Sequence, residues 1–171
     1  MDKRTFRKIH RKIAPILFLP LMLSALTGLG YRLGKSWFGM SGDNAEIFMV
    51  IHQGKYLGDQ LKPVYVLLLG LGLLGAIATG LTMTAIFNKN PKTQPNSQLN
   101  FRKVHRLLAP IIFLPLIISA LTGIIYRIGK SWFGMSADNA HIFMEIHQGE
   151  YFGDIGKPIY VLLVAIGLIA M

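Results

Sequence analysis

The sequence predicts an all-α membrane protein with four transmembrane helices, built from a two-helix unit that occurs twice. The chain has 171 residues, of which 52% are hydrophobic and 15% charged, and its mean hydropathy is +0.46. Soluble domains carry about 25% charged residues, so this composition favours a membrane protein. The run from Ile13 to Leu29 is uncharged and long enough to cross a bilayer as a helix, and it recurs from Leu108 to Tyr126.

The two halves of the chain match each other at an offset of about 95 residues. Each copy contains two apolar spans joined by a longer mixed segment, so the unit of structure is a pair of spans used twice. Packing of the copies about an axis along the membrane normal would give a parallel pseudo-two-fold. The duplication matches four pairs of residues of chemical interest: His10 with His105, His52 with His147, Arg7 with Arg102, and Arg11 with Arg106.

The predicted spans cover about residues 13–31, 63–87 and 108–126, and a fourth begins at Pro158. From Pro158 to the last residue a helix would be only about 21 Å long, which is too short to cross the membrane. Either this helix begins earlier or the sequence is cut short. The repeat favours the second explanation, because the residues that would match 77–87 are absent.

A polar segment from Asn88 to Asn100, with two prolines and no periodicity, separates the copies. We therefore divide the chain into repeat one (residues 1–90), a linker (91–100) and repeat two (101–171). Within each repeat a short apolar run, 47–52 or 142–147, predicts an amphipathic helix at the membrane surface that leads into the next span.

Lysine and arginine are concentrated in the N-terminal tail and around the linker, whereas the segments 33–62 and 128–157 mix acidic and basic residues. Because cytoplasmic segments carry the excess of positive charge, the N-terminus and linker are predicted to be cytoplasmic. The expected location is a bacterial inner membrane or a thylakoid membrane. The net charge of +10 lies beside apolar spans rather than on a soluble face, so nucleic acid is not an expected partner.

This topology sorts the repeated histidines into two levels. His10 and His105 lie at the cytoplasmic ends of spans one and three, and His52 and His147 lie near the outer ends of spans two and four. The thickness of the membrane separates the histidines of one repeat, so these cannot share a small ligand. Matching histidines of the two repeats can face each other, which predicts two sites stacked across the bilayer.

Two facing imidazoles are typical of the axial ligands of a six-coordinate haem b, whose large apolar ring a helical bundle can bury. The chain has no cysteine, which excludes c-type haem attachment, thiolate-bound iron–sulfur clusters and thiolate zinc sites. We therefore predict two haem b groups. The iron of the inner one is assigned to His10 and His105, and that of the outer one to His52 and His147.

Haem propionates are anionic and favour cations near the membrane interface. Four arginines are predicted to bind them on the inner side: Arg7, Arg11, Arg102 and Arg106. The candidates on the outer side are Arg32, Lys35, Arg127 and Lys130.

Other interpretations are open at this stage. The protein could be a non-catalytic accessory subunit of a larger respiratory or photosynthetic membrane complex, with histidines that bind haem or a chlorophyll-type pigment. A pigment needs one axial ligand only, so paired histidines favour haem. A transporter would want carboxylates within its spans, and these spans have none. His141 matches Glu46 rather than a histidine and is predicted to be a solvated residue.

Two motifs, each with a later Thr-Gly pair, resemble the PepSY-associated transmembrane (PepSY-TM) proteins. One is FRKIHR followed by LTGLGYR, in which an Arg/His pair opens a span that ends in Thr-Gly. The other is IHQGKYLGD followed by GLLGAIATGL. The resemblance covers both repeats, and it departs from the family pattern in two respects. The extracytoplasmic PepSY domain is absent, and repeat two stops before a counterpart of Thr79 and Gly80.

The resemblance implies a membrane haem protein similar to two-haem reductases that pass electrons to ferric siderophores or other outer acceptors. The histidine positions of the family match His10, His52, His105 and His147 of this sequence. The predicted function is thus a b-type diheme cytochrome that transfers electrons between a quinol or protein donor and an acceptor such as ferric iron. No base or nucleophile constellation is present, so no catalytic residue is assigned. Expected partners are membrane lipid, a quinol, and a larger membrane complex or a second copy.

Overall fold

In a computed structural model of the chain, residues 3–82 and 101–170 are described. All regular secondary structure in these residues is helical, which confirms the predicted all-α class. The six α-helices, in chain order, are α1 (Lys3–Ser36), α2 (Gly42–His52), α3 (Gly58–Leu81), α4 (Phe101–Trp132), α5 (Ala137–Gln148) and α6 (Gly153–Ala170).

Four of these helices, α1, α3, α4 and α6, are long and apolar enough to cross a membrane, as predicted. Large apolar side chains cover their outward faces; Ile16 is 75% exposed and Leu68 is 64% exposed. In water such an apolar surface would promote aggregation, but in lipid it is the expected exterior. The protein is therefore a multi-pass membrane protein.

The spans differ from the prediction at their ends. Helix α1 continues beyond residues 13–31 on both sides, because its charged first turns and Tyr-Arg-containing last turns are also helical. Helix α3 begins at Gly58 and α6 at Gly153, each five residues before the proline taken as the start, so the alternative of an earlier start is confirmed. Pro63 and Pro158 lie fully buried in the second turn of these helices.

The segments between paired spans form a short helix and a 3-10 turn. Helices α2 and α5 are N-capped by Ser41 and Ser136, whose hydroxyl groups accept from the backbone N–H three residues later. Each helix begins five residues before the predicted apolar run, because its first turn is polar. The 3-10 turns, residues 55–57 and 150–152, then lead directly into α3 and α6.

The four spans form a ring in the order α1, α3, α4, α6. Within each repeat the first span packs against its short helix and its second span. Between repeats, α1 packs against α6 and α4 packs against α3. In both contacts the first span of one repeat meets the second span of the other. This equivalence of the two contacts agrees with the predicted pseudo-two-fold axis. The linker lies outside the described residues, so the division of the chain at residues 90 and 100 stays a prediction.

Candidate functional site

The structure brings the four predicted histidines together as two pairs, one from each repeat in each pair. The ring centroids of His10 and His105 are 6.4 Å apart, with an angle of 62° between the ring planes. Those of His52 and His147 are also 6.4 Å apart, at 60°. His10 and His105 project from the non-adjacent spans α1 and α4. His52 and His147 lie at the C-terminal ends of the short helices α2 and α5.

This spacing suits two imidazoles on opposite sides of one metal ion. With metal–nitrogen bonds of about 2.0 Å, and a ring nitrogen about 1.1 Å from its centroid, the centroids would stand about 6 Å apart. Both pairs have this separation, although they are built from different helices. Among the described residues there is no group of three or more His, Cys, Asp or Glu that could hold a metal ion, so four-ligand protein sites are not formed there.

Hydrogen bonds fix which nitrogen of the outer histidines is free to bind a metal. Nδ1 of His52 lies 2.8 Å from the carbonyl oxygen of Ser24, and Nδ1 of His147 lies 2.9 Å from that of Ser119. A carbonyl oxygen can only accept, so each Nδ1 carries the hydrogen and donates it. Nε2 of each ring is then left with its lone pair, which is the tautomer a metal-binding histidine needs.

His10 is held in the same tautomer by a side chain. Its Nδ1 lies 2.9 Å from Oγ1 of Thr79. The single hydroxyl hydrogen of Thr79 is directed at the carbonyl oxygen of Gly75, 2.8 Å away, so the threonine oxygen accepts from the histidine. Nε2 of His10 is therefore also left with its lone pair.

The Thr-Gly pairs of the sequence provide the surfaces on which these rings lie. A Cβ added at Gly28 would stand 3.0 Å from Cε1 of His52, and one added at Gly123 would stand 3.2 Å from Cε1 of His147. At Gly80 the corresponding distance to His10 is 3.5 Å. Glycine thus lets each ring approach a helix backbone. Sequence reasoning missed this role, and the recurrence of Thr-Gly was the signal that could have found it.

The outer pair opens into a cavity of about 440 Å³. Its walls are mainly apolar, and its volume lies within the range of about 300–1,000 Å³ found for cofactor and ligand pockets. Burial lowers the pKa of His147 to about 4 and also lowers the pKa of His52, so both imidazoles are neutral at pH 7. The residues of this level fit a large apolar ring with two axial ligands.

The inner pair opens into a smaller cavity of about 130 Å³, which is below that range, so the cavity volume supports a large ring at the outer level only. Along α1 the inner His10 and the outer Gly28 are 18 residues apart, or about 27 Å of helix, so the two levels are stacked through the membrane. Four leucines, one from each span, line both cavities. This leucine layer consists of Leu21, Leu73, Leu116 and Leu168.

The basic residues predicted to bind propionates differ in whether they line a cavity. Arg7 and Arg11 are exposed and do not line the inner cavity, and the side chains of Arg102 and Arg106 lie outside the described residues. Lys35 and Lys130, on the outer side, are exposed as well. Only the outer candidates Arg32 and Arg127 line a described cavity, the one that contains His52 and His147.

His141 lies away from both cavities. Its Nδ1 is 3.4 Å from Oε1 of Glu145, and the side chain is 68% exposed, as expected for a solvated residue.

The chain matches the family described as the PepSY-associated TM region over residues 33–141, which is 109 of its 171 residues. This range contains α2, α3 and α4 in full. Comparisons with curated proteins and with solved structures give no match. Because the match covers more than half of the chain, and because four spans carry the expected membrane fold, this protein belongs to the PepSY-associated TM family.

Proposed function

We propose that this protein transfers electrons across the membrane through two haem b groups, one at each histidine pair. The observation that carries the proposal is the equal 6.4 Å spacing of the two pairs, His10 with His105 and His52 with His147. This spacing would allow one imidazole on each side of a haem iron, and it recurs at two pairs that are made of different helices. Haem, when bound, supplies one-electron exchange at its iron.

The residues around each pair have separate tasks. Backbone carbonyls and Thr79 hold the Nδ1 hydrogens of His10, His52 and His147, which orients these rings and would leave their Nε2 atoms for the iron. The apolar walls exclude water, and burial of a cofactor in such an environment tunes its potential. The side chains of the leucine layer lie between the two levels.

The inner level faces the proposed cytoplasmic side, where a quinol or a donor protein would deliver electrons. The outer level faces the opposite side of a bacterial inner membrane, where an acceptor such as ferric iron would collect them. No residue needs to act as an acid, base or nucleophile in this function. Lipid covers the exposed apolar faces of the four spans.

The proposal is tested with the purified protein by a reduced-minus-oxidised visible spectrum and by haem quantification as the pyridine complex. We expect b-type bands and about two haems per chain. His10→Ala and His52→Ala should each lower this to about one haem, and His141→Ala, the fifth histidine of the chain, should keep two.

A protein without haem would contradict the proposal, and so would a His10→Ala variant that keeps both haems. A chlorophyll-type spectrum with one pigment per histidine pair would instead favour an accessory subunit of a larger membrane complex.

A further inference from the structure

Two arginine side chains at the outer end of the bundle are wholly or partly buried. Arg32, near the end of α1, is only 8% exposed. Arg127, its counterpart on α4, is partly buried. Both line the cavity between His52 and His147. A guanidinium group is charged at any physiological pH, so two positive charges stand in the wall of a largely apolar cavity.

Each guanidinium is held by a glutamine of the other repeat. Nη2 of Arg127 donates to Oε1 of Gln53 at 2.7 Å, and Nη2 of Arg32 donates to Oε1 of Gln148. These amides orient the arginines without neutralising them. Each glutamine directly follows an outer histidine, so the arginines are fixed in register with the histidine pair.

The nearby carboxylates are engaged elsewhere. Glu46 is the one acidic residue among the described residues that line the cavity, and it pairs with Lys55. Asp59, whose charge also acts on Arg127, is bonded to Lys62 at 2.9 Å and is exposed to solvent. Within the described part of the chain, neither arginine has a carboxylate ion-pair partner. A buried charge without a counter-charge is costly, so the cavity is suited to an anionic ligand.

We propose that Arg32 and Arg127 form an anion subsite that binds the two carboxylates of the ligand in the outer cavity. This rests on the proposed function, in which that ligand is haem b and the carboxylates are its propionates. Two arginines related by the pseudo-two-fold then serve two propionates, each through charge-assisted hydrogen bonds from the guanidinium fork.

The subsite fixes the orientation of the outer haem. Its propionates would be held toward the ends of α1 and α4, because both arginines lie at that end of the cavity. The inner end of the cavity, where Leu73 and Leu116 pack in the apolar cluster, would receive its hydrocarbon part. The polar edge is thus presented to the side on which an acceptor would arrive.

The test compares haem with haem dimethyl ester, in which both carboxylates are blocked. The protein carries His10→Ala, so only the outer level retains both histidines, and it is purified without haem before titration. We expect the Arg32/Arg127 pair to favour haem over its ester by about 10- to 100-fold in affinity, as charged hydrogen bonds do. In the R32Q/R127Q variant the ratio should approach one, through weaker binding of haem.

Two further variants complete the design. K35Q/K130Q removes the exposed lysines at matching positions of the same side, and it should keep the preference of the parent protein. R32K/R127K keeps the charge and should retain part of the preference, which separates the role of charge from a loss of fold.

Equal binding of haem and ester by the parent protein would overturn the subsite alone, and so would an unchanged ratio in R32Q/R127Q or an equal loss in K35Q/K130Q. Binding of neither compound would overturn the subsite together with the proposed function.

Discussion

At the scale of single residues, the shortest hydrogen bonds that hold the outer imidazoles are made by backbone atoms. The carbonyl oxygens of Ser24 and Ser119 hold the Nδ1 hydrogens of His52 and His147, and the missing side chains of Gly28 and Gly123 make room for the rings. A histidine held in this way loses little freedom when a metal binds, because its tautomer and ring plane are already set. The same device recurs in both repeats.

This arrangement predicts that Gly28→Ala weakens the outer level selectively. The added Cβ would lie 3.0 Å from Cε1 of His52, so the ring must move by a few tenths of an ångström. Overpacking of this kind costs about 1–3 kcal/mol, which corresponds to a loss of about 5- to 150-fold in haem affinity at that level. Haem titration of the His10→Ala protein, with and without Gly28→Ala, measures it.

Gly75→Ala is the matched control, because a Cβ there would meet nothing within 4 Å. It should leave haem affinity unchanged. If both alanine variants bound haem equally well, the role proposed for Gly28, which is to make room for the ring of His52, would be wrong.

The sequence predicted the histidine pairs because the duplication matches His10 with His105 and His52 with His147. It did not predict the groups that hold the rings. A backbone carbonyl has no signature of its own in a sequence, and the recurring Thr-Gly pairs were the only sequence feature that indicated the glycines beside the rings. The glutamine partners of Arg32 and Arg127 were also missed, because each comes from the other repeat and becomes a neighbour only in the folded bundle.

At the scale of elements, the corner between each short helix and the following span sets the position of the outer histidines. Gly54 follows His52 by two residues, has a φ of +67°, and packs against the ring of Tyr65. Gly149, with a φ of +68°, occupies the same place after His147. Both the left-handed backbone and the close aromatic ring require glycine here.

Gly54→Ala is therefore expected to destabilise the corner for two reasons at once. A left-handed conformation costs a non-glycine residue about 1–2 kcal/mol. The added Cβ would also lie 2.6 Å from Cδ1 of Tyr65, which adds about 1 kcal/mol or more of overpacking. The unfolding free energy in detergent, compared with that of the unaltered protein, gives the sum.

Gly39→Ala separates the two terms. Gly39 has a φ of +58°, but a Cβ there would meet nothing within 4 Å, so this variant carries the backbone cost alone. An equal loss of stability in Gly39→Ala and Gly54→Ala would show that the contact with Tyr65 contributes nothing.

The elements themselves were largely predictable, and their ends were not. Long uncharged runs identify the four spans because lipid demands them. The prolines Pro63 and Pro158 suggested helix starts, yet a polar first turn precedes each of them. In these turns Lys62 and Lys157 pair with Asp59 and Asp154, so charged residues that suggested a loop are part of the helix.

At the scale of the whole molecule, the pseudo-two-fold places one leucine of each span between the two histidine levels. Leu21 and Leu116 are matching residues of the two repeats, as are Leu73 and Leu168. Three of these leucines belong to the apolar cluster at the centre of the bundle, around Phe113. The proposed transfer of electrons across the membrane requires that protons do not pass, and apolar side chains between the two levels would suit that requirement.

We expect the double variant Leu73→Ala/Leu168→Ala to make the bundle leak protons. Each substitution removes most of a side chain from the layer, and the space left between two cavities that contain polar groups can admit water. The measurement uses vesicles with an entrapped pH dye and an imposed membrane potential, and the expected rate of acidification is several times that of the unaltered protein. The control is Leu68→Ala/Leu163→Ala, a pair at matching positions of the same two helices that faces lipid, where Leu68 is 64% and Leu163 is 60% exposed. If the control leaked as much, or if the layer variant stayed tight, the barrier would lie elsewhere in the molecule.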